Sequence, residues 1–215
     1  MDQDEPAGVS LGNSRVANGR PVGRHRAFDP RRVGSLEAAT WTAYYRREWL
    51  KVMRNAVSLT RNTFGWPWPA TFYGAWLAMR AIQLWSPRPD NDPEGARRNM
   101  ERFYRLVARH HGEPLDSAEA ARLEVEWWRI HREVQYGDPR DGDGRLVDAL
   151  AHLYAYVYNV PESAVRTAAE QRARAMGYSD EWVSAGCPPA SPLLDQGQAA
   201  LVSSYTDLLG AIQGA

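Results

Sequence analysis

The stretch Leu123–Tyr136, LEVEWWRIHREVQY, holds the densest mixture of aromatic, acidic and imidazole side chains in the chain. At about 100° per residue, its pattern predicts an amphipathic α-helix. The stripe expected to face the core carries Leu123, Trp127, Ile130 and Val134. A second stripe carries Glu124, Trp128, His131 and Gln135. His131 is therefore expected at the boundary of the core.

The remaining sequence also predicts helices. Segments with apolar residues at helical spacing are bounded by Pro, Gly, Ser and Asp residues that begin or end helices. The predicted helices cover residues 36–63, 70–85, 93–111, 117–136, 145–159, 161–176, 180–182 and 194–212. No alternating run is typical of a strand. The expected fold class is all-α, with about seven helices around an aromatic-rich core, because nine Trp and ten Tyr supply flat side chains.

Residues 1–34 are rich in Gly, Pro, Arg and Asn and contain few large apolar side chains. Such a segment cannot bury enough surface to fold by itself. We therefore predict a disordered or loosely docked arm, followed by a single helical domain over residues 35–215. Two interpretations of the arm stay open, a solvated tail or an arm that binds a partner. Deleting residues 1–33 is expected to leave the thermal midpoint nearly unchanged.

Charge and cysteine content exclude several classes of protein. The 26 basic residues balance the 26 acidic ones, so no general attraction to nucleic acid or membrane is predicted. The single Cys187 excludes a disulfide framework and a cysteine-rich zinc site. With no signal-peptide pattern and no long apolar run, we expect a cytoplasmic protein. The preference for arginine, with Lys51 the sole lysine, is typical of a GC-rich genome, as in many actinobacteria.

Two acidic segments could be taken for metal-binding loops. The cluster at residues 90–94 (DNDPE) matches either an Asp-rich magnesium motif or the start of a helix. We favour the helix, because Asp92 suits the cap and Pro93 the first helical position. The loop at residues 138–144 lacks the closing glutamate of a calcium loop and predicts a turn.

Four side chains on two predicted helices are candidate metal ligands. Glu124 and His131 lie on the first helix, while Asp148 and His152 lie four residues apart on the next. Antiparallel helices can gather carboxylates and imidazoles around iron or manganese. The Glu-x6-His and Asp-x3-His spacings resemble those of haem-oxygenase-like di-iron oxidases, which implies a metal site formed by these four residues. The alternative is that Asp148 and His152 lie on a solvated face.

A second pattern concerns haem. Residues 128–131 (WRIH) place a tryptophan shortly before a histidine. The predicted helix before this one ends in an HG pair at residues 111–112, and the helix after it ends at residues 159–161 (NVP). Over about residues 96–165, this arrangement resembles helical haem oxygenases of the latex-clearing-protein type. That family has one residue fewer between the tryptophan and the histidine. The Trp-Arg-x-His run is also similar to the proximal-histidine helix of tryptophan dioxygenases.

The resemblance to the latex-clearing proteins implies a haem cofactor. His131 would be the iron ligand, with Trp128 and His111 in the cofactor pocket. The leading hypothesis is accordingly a small-molecule enzyme of the oxygenase or oxidase kind, with a His-ligated haem or non-haem metal. Glu124 would be a second ligand or an acid–base group, and Arg129 would anchor the substrate.

The second hypothesis is a non-catalytic helical protein that binds a ligand or a protein partner. Its pocket would be aromatic and metal-free, suited to a flat or apolar molecule. The candidate lining residues are Trp66, Trp68, Trp76, Trp127 and Trp128. Arg129 or Arg132 could hold an anionic group of the ligand. A protein partner would instead be bound through exposed aromatic side chains and the basic N-terminal arm. Under the leading hypothesis the expected partner is a small molecule, in a protein that could form homo-oligomers, without nucleic acid or membrane.

Overall fold

The computed structural model describes residues 26–112, 114–137 and 144–214, and these residues form eight α-helices and no strand. The helices are α1 (Pro30–Tyr45), α2 (Trp49–Phe64), α3 (Trp68–Trp85), α4 (Pro93–His111), α5 (Ser117–Tyr136), α6 (Gly144–Tyr158), α7 (Glu162–Ser184) and α8 (Pro192–Gln213). The predicted all-α class is confirmed. Most of the acidic loop, residues 138–143, lies outside the described part of the chain. Within that part, no helix has the length and apolar character needed to cross a bilayer.

The helices close into a ring. Each helix packs mainly on its neighbours in sequence, and α1 packs closely on α8. This arrangement leaves an interior towards which every helix directs one face. The predicted stripe of α5 faces inward as expected, because Leu123, Trp127 and Ile130 are buried.

The predicted ends of α4 and α5 are confirmed. The Asp92 carboxylate accepts a hydrogen bond from the Gly95 N–H at 2.7 Å, so the cluster at residues 90–94 begins a helix. Asp116 caps α5 in the same way. Gly112 and Gly137 end the two helices with φ values of 67° and 115°. These left-handed conformations favour glycine, which has no Cβ.

The prediction of one helix over residues 36–63 is wrong. The chain turns between α1 and α2, with Arg47 at a φ of 59°, although no Gly or Pro occurs there. The turn is held by distant contacts of Arg46, whose guanidinium donates to the carbonyl oxygen of Pro188 at 3.0 Å and lies 5.3 Å from the centroid of a Trp182 ring. Tertiary packing thus ends α1 where local propensity would continue it.

The two helices predicted on either side of Gly177 are in fact one, α7. A glycine inside a helix costs about 1 kcal/mol relative to alanine. Burial of Met176 and Trp182 on the same helix outweighs that cost, since both side chains are almost completely inaccessible.

The helical domain begins before residue 35, which was the predicted boundary. Helix α1 begins at Pro30, capped by Asp29, and the side chains of Phe28 and Val33 are buried. Gly34 packs so closely on α8 that a Cβ there would lie 2.8 Å from the backbone nitrogen of Val202. Residues 26–34 therefore belong to the helical body, and deletion of residues 26–33 is expected to destabilise it. Residues 1–25 lie outside the described chain.

Candidate functional site

All eight helices contribute side chains to one cavity of about 540 Å³ inside the ring. Ligand pockets in proteins commonly measure roughly 300–1,000 Å³. The lining is mostly apolar and rich in rings, among them Trp41, Phe64, Trp85, Phe103, Trp127 and Trp128. The size and lining of the cavity suit a small, largely apolar molecule.

The cavity opens near the C-terminal ends of α3 and α5. Trp85, Arg88, Arg132 and Tyr136 line both the cavity and a depression on the outer surface. Arg132 donates a hydrogen bond to the carbonyl oxygen of Trp85 at 2.6 Å, and its guanidinium lies 4.3 Å from the centroid of the Trp85 ring. Among the described residues, Arg132 has no carboxylate partner. A ligand that enters here meets a cation at the opening.

A buried ion pair forms part of the cavity wall. The Arg172 guanidinium donates to both Glu37 carboxylate oxygens, at 2.5 and 3.1 Å. The Tyr205 hydroxyl donates to the same carboxylate at 2.5 Å. Burial would lower the pKa of Arg172, but the negative charge of Glu37 outweighs it and holds that pKa well above the ordinary value. Arg172 therefore stays charged, and the Glu37 carboxylate compensates that charge within the protein.

Glu124 is a second carboxyl group on the cavity wall. The Tyr104 hydroxyl donates to its Oε2 at 2.8 Å. Burial raises the pKa of Glu124, while the Tyr104 hydrogen bond and the Arg172 charge partly oppose this. The Trp127 and Trp128 indole N–H groups also favour its charged form, although the buried Trp127 Nε1 completes no hydrogen bond. Glu124 is thus biased towards the neutral acid, which can both donate and accept a hydrogen bond.

A third polar cluster on the cavity wall consists of His131, Asp180 and Gln135. The His131 Nε2 lies 3.0 Å from Asp180 Oδ2, and the Gln135 amide donates to Asp180 Oδ1 at 2.7 Å. Burial and the negative charge of Asp180 raise the pKa of the nearby Tyr45 to about 12. With 20% of its side chain exposed, His131 lies at the core boundary, as its helical position predicted.

Three of the predicted site residues, Glu124, His131 and Trp128, line the cavity. Arg129 does not, because it pairs with Glu126 and Glu133 on the outer face of α5. Arg129 lines the outer depression at the opening instead, so a role as substrate anchor stays a prediction and does not apply to the interior of the cavity.

His111 also lies away from the cavity lining. Its Nε2 accepts a hydrogen bond from the Trp66 indole at 3.2 Å, at the end of α4. Of the five tryptophans predicted to line a pocket, Trp66 is buried elsewhere in the core, whereas Trp68 and Trp76 are about half exposed. Trp127 and Trp128 are the two that face the cavity.

The four predicted metal ligands are not brought together. Asp148 pairs with Arg166 and His152 with Glu162, at 2.9 and 2.7 Å, on the exposed side of α6. The side of α6 that faces the cavity instead carries Leu150, Leu153, Tyr154, Val157 and Tyr158. Among the residues that the structure describes, no three His, Cys, Asp or Glu side chains form a group able to hold one metal ion.

The sequence interpretation missed Glu37, Arg172, Tyr104 and Asp180. A signal was present for two of them. Arg172 lies four residues after Ala168 and four before Met176, and both of these side chains are buried. Glu37 lies four residues after the buried Val33. A charged residue on an apolar stripe requires a partner in the core, but the sequence alone does not say which one.

Comparisons with known proteins give no identification: no family model, curated protein or solved structure matches the chain. The resemblance to haem oxygenases of the latex-clearing-protein type stays a prediction.

We expect Glu124→Gln to remove part of the pH dependence of stability. The pKa of Glu124 is raised above its ordinary value of 4.5 in the folded protein, so the folded state keeps a proton that the unfolded state releases. Stability then falls as pH rises from 4.5 through the folded-state pKa. Glutamine still accepts the Tyr104 hydrogen bond but cannot ionise. Urea unfolding from acid to mildly basic pH should show a smaller fall for the variant, and parallel curves for the two proteins would contradict the assignment.

Proposed function

We propose that the protein binds a small, largely apolar molecule with an acidic head group inside its ring of helices. The observation that carries the proposal is the cavity of about 540 Å³, lined by rings and opening beside Arg132. Apolar surface is removed from water when such a molecule enters, which contributes roughly 25 cal/mol per Å². The cavity thus supports the hypothesis of a helical ligand-binding protein.

The charges around the cavity favour a ligand whose buried part is apolar. Arg172 is neutralised by Glu37, and burial biases Glu124 towards its neutral form. Neither group offers a free positive charge to an acidic ligand deep in the cavity. Arg132 and Arg88 are the cations at the opening that a carboxylate could reach through a charge-assisted hydrogen bond, and Arg132 is the one we test. The ligand would therefore bind with its apolar part inside and its acidic head at the opening.

Filling the cavity should block binding. Ala78 lies on α3 and lines the cavity, so Ala78→Phe places a ring where the ligand would bind. We expect the variant to lose the fluorescence enhancement of N-phenyl-1-naphthylamine, a neutral apolar probe, seen with the unmodified protein. Ala164→Phe, at an exposed position of α7, is the matched control and should bind as before. Equal enhancement with all three proteins would contradict the proposal.

The acidic head is tested by competition. Dodecanoate should displace the probe more strongly than its methyl ester, because only the acid can pair with Arg132. Arg132→Gln should weaken displacement by the acid about tenfold, in line with roughly 1.5 kcal/mol for a hydrogen bond to a charged group, and leave displacement by the ester unchanged. If the variant weakens both competitors equally, Arg132 does not recognise the head group.

A second candidate function is an oxygenase- or oxidase-like enzyme with iron or haem held by His131. The supporting observation is that His131 lies on the cavity wall with one ring nitrogen next to Asp180. A histidine that binds a metal commonly has its other nitrogen hydrogen-bonded to a carboxylate. The cofactor would supply oxygen activation, while Trp128 would pack beside it and Glu124 would hold or deliver a proton.

Haemin titration separates this candidate from simple ligand binding. A haem protein should develop a Soret band that His131→Ala abolishes, with the exposed His152→Ala as the control. Absence of the band and of bound iron in the unmodified protein would eliminate the second candidate, and the probe measurements would be unaffected.

A further inference from the structure

The outer faces of α2 and α3 form the largest concentration of exposed apolar side chains in the described chain. The inner faces of the same two helices line the cavity, so their opposite faces point away from the ring. We define the hairpin face by its seven exposed apolar residues: Trp49, Leu50, Met53, Trp68, Phe72, Tyr73 and Trp76. The exposed fraction is 89% for Leu50 and close to half for the rings. An exposed apolar surface of this kind commonly marks an interaction site.

The hairpin face is also positively charged. Between residues 48 and 85 the chain contains Lys51, Arg54, Arg61 and Arg80 and one acidic residue, Glu48, a formal charge of four minus one, or +3. Glu48 pairs with Lys51 at 2.9 Å, which leaves the three arginines as the excess positive charge. The Arg61 guanidinium lies 5.1 Å from the centroid of the Trp68 ring. The whole chain has no net charge, so this local excess of positive charge is not visible in its overall composition. A partner with a negatively charged surface would complement the hairpin face.

A second copy of the chain is a poor partner for this face. A two-fold dimer places the same patch on both subunits. Such a dimer would bring Arg54 and Arg80 of one subunit towards the same cations of the other, and Glu48, the acidic residue at the start of α2, is already paired with Lys51. Like charges brought together oppose association.

From this charge complementarity, we propose that the hairpin face binds peripherally to a membrane surface that contains anionic lipids. Trp, Tyr and Phe rings suit the interface between headgroups and acyl chains, where one edge is apolar and the other polar. Helices that lie in this interface combine such residues with Lys and Arg. Each cation near an anionic surface adds about 1 kcal/mol of attraction. The proposal requires no helix to cross the bilayer.

The binding surface and the cavity share the same two helices. Val52 and Thr60 of α2 and Met79 of α3 line the cavity, whereas Met53 of α2 and Trp76 of α3 lie on the hairpin face. When the protein is docked, only the single layer formed by α2 and α3 would lie between the lipid and the cavity. Membrane binding itself does not depend on a ligand in the cavity.

Vesicle flotation of the full chain tests the proposal. The protein should float with vesicles of phosphatidylcholine containing roughly one-third phosphatidylglycerol, bind phosphatidylcholine alone more weakly, and be released by high salt. The double variant Phe72→Ser/Trp76→Ser removes two rings of the hairpin face and should lower the partition coefficient at least tenfold. Tyr156→Ser, at a partly exposed ring of α6 outside both the hairpin face and the cavity lining, is its control and should float like the unmodified protein.

Charge reversal tests the second requirement. Arg54→Glu/Arg80→Glu should lower binding to the anionic vesicles at least about tenfold. Arg102→Glu/Arg174→Glu changes the net charge equally at exposed positions of α4 and α7 and should have a much smaller effect. Three results would overturn the proposal: no flotation of the unmodified protein, equal losses for the two charge variants, or flotation unaffected by both hairpin variants. Light scattering that shows a dimer lost in Phe72→Ser/Trp76→Ser, without vesicle binding, would also overturn it in favour of self-association.

Discussion

Glu37→Ala should lower the free energy of unfolding by about 3–5 kcal/mol, the usual effect of removing one member of a buried ion pair. The substitution leaves the Arg172 guanidinium buried between the rings of Trp41 and Trp127, whose centroids lie 5.8 and 5.6 Å away. It also removes the acceptor of the Tyr205 hydroxyl. Urea unfolding followed by circular dichroism measures the change.

Two further variants identify the cause of that loss. Glu126→Ala breaks an exposed pair with Arg129 and should cost no more than about 1 kcal/mol. Glu37→Leu/Arg172→Met removes both buried charges and should recover most of the loss, because no uncompensated charge remains. A double variant as unstable as Glu37→Ala would show that packing at residue 37, and not the unpaired guanidinium, explains the effect.

A chain that begins at residue 35 should be much less stable than one that begins at residue 26. The shorter chain lacks Phe28 and Val33, both buried, and the Asp29 cap of α1. Removing a buried phenylalanine side chain alone costs about 3–5 kcal/mol. We expect a total loss of at least about 5 kcal/mol, which lowers the thermal midpoint of a domain of this size by roughly 10–20 °C.

Single substitutions in the full chain serve as the control for truncation. Phe28→Ala should reproduce more than half of the loss, and Arg31→Ala, at an exposed position of α1, should change stability little. If both truncated chains melt within a few degrees of each other, residues 26–34 do not pack as described.

Helix ends were predictable where a local residue determines them. Asp92 and Asp116 accept hydrogen bonds from the N–H groups that begin α4 and α5, and this depends on short-range geometry alone. The break at Arg47 was not predictable, because it depends on contacts between Arg46 and a segment 142 residues away. Gly177 misled for the opposite reason, since packing of α7 overrides its low helix propensity.

In the candidate site, too, features set by local sequence were predictable and features set by tertiary packing were not. Periodicity on α5 placed Glu124, Trp128 and His131 at the border of the core, and all three line the cavity. Grouping Asp148 and His152 with them was wrong, because both lie on the exposed side of α6, as the alternative of a solvated face predicted. The polar side chains on the cavity wall have partners on helices far apart in sequence, such as Asp180 for His131. Which side chains pair depends on how the eight helices pack into the ring, and local sequence does not reveal it.

The indole N–H resonances of the nine tryptophans test directly whether a ligand enters the ring of helices. If the cavity binds apolar acids, adding dodecanoate should shift the resonances of Trp85, Trp127 and Trp128, which line it. The same titration of Ala78→Phe should leave them in place. Shifts confined to Trp49, Trp68 and Trp76 on the hairpin face, or no shifts at all, would contradict ligand binding inside the protein.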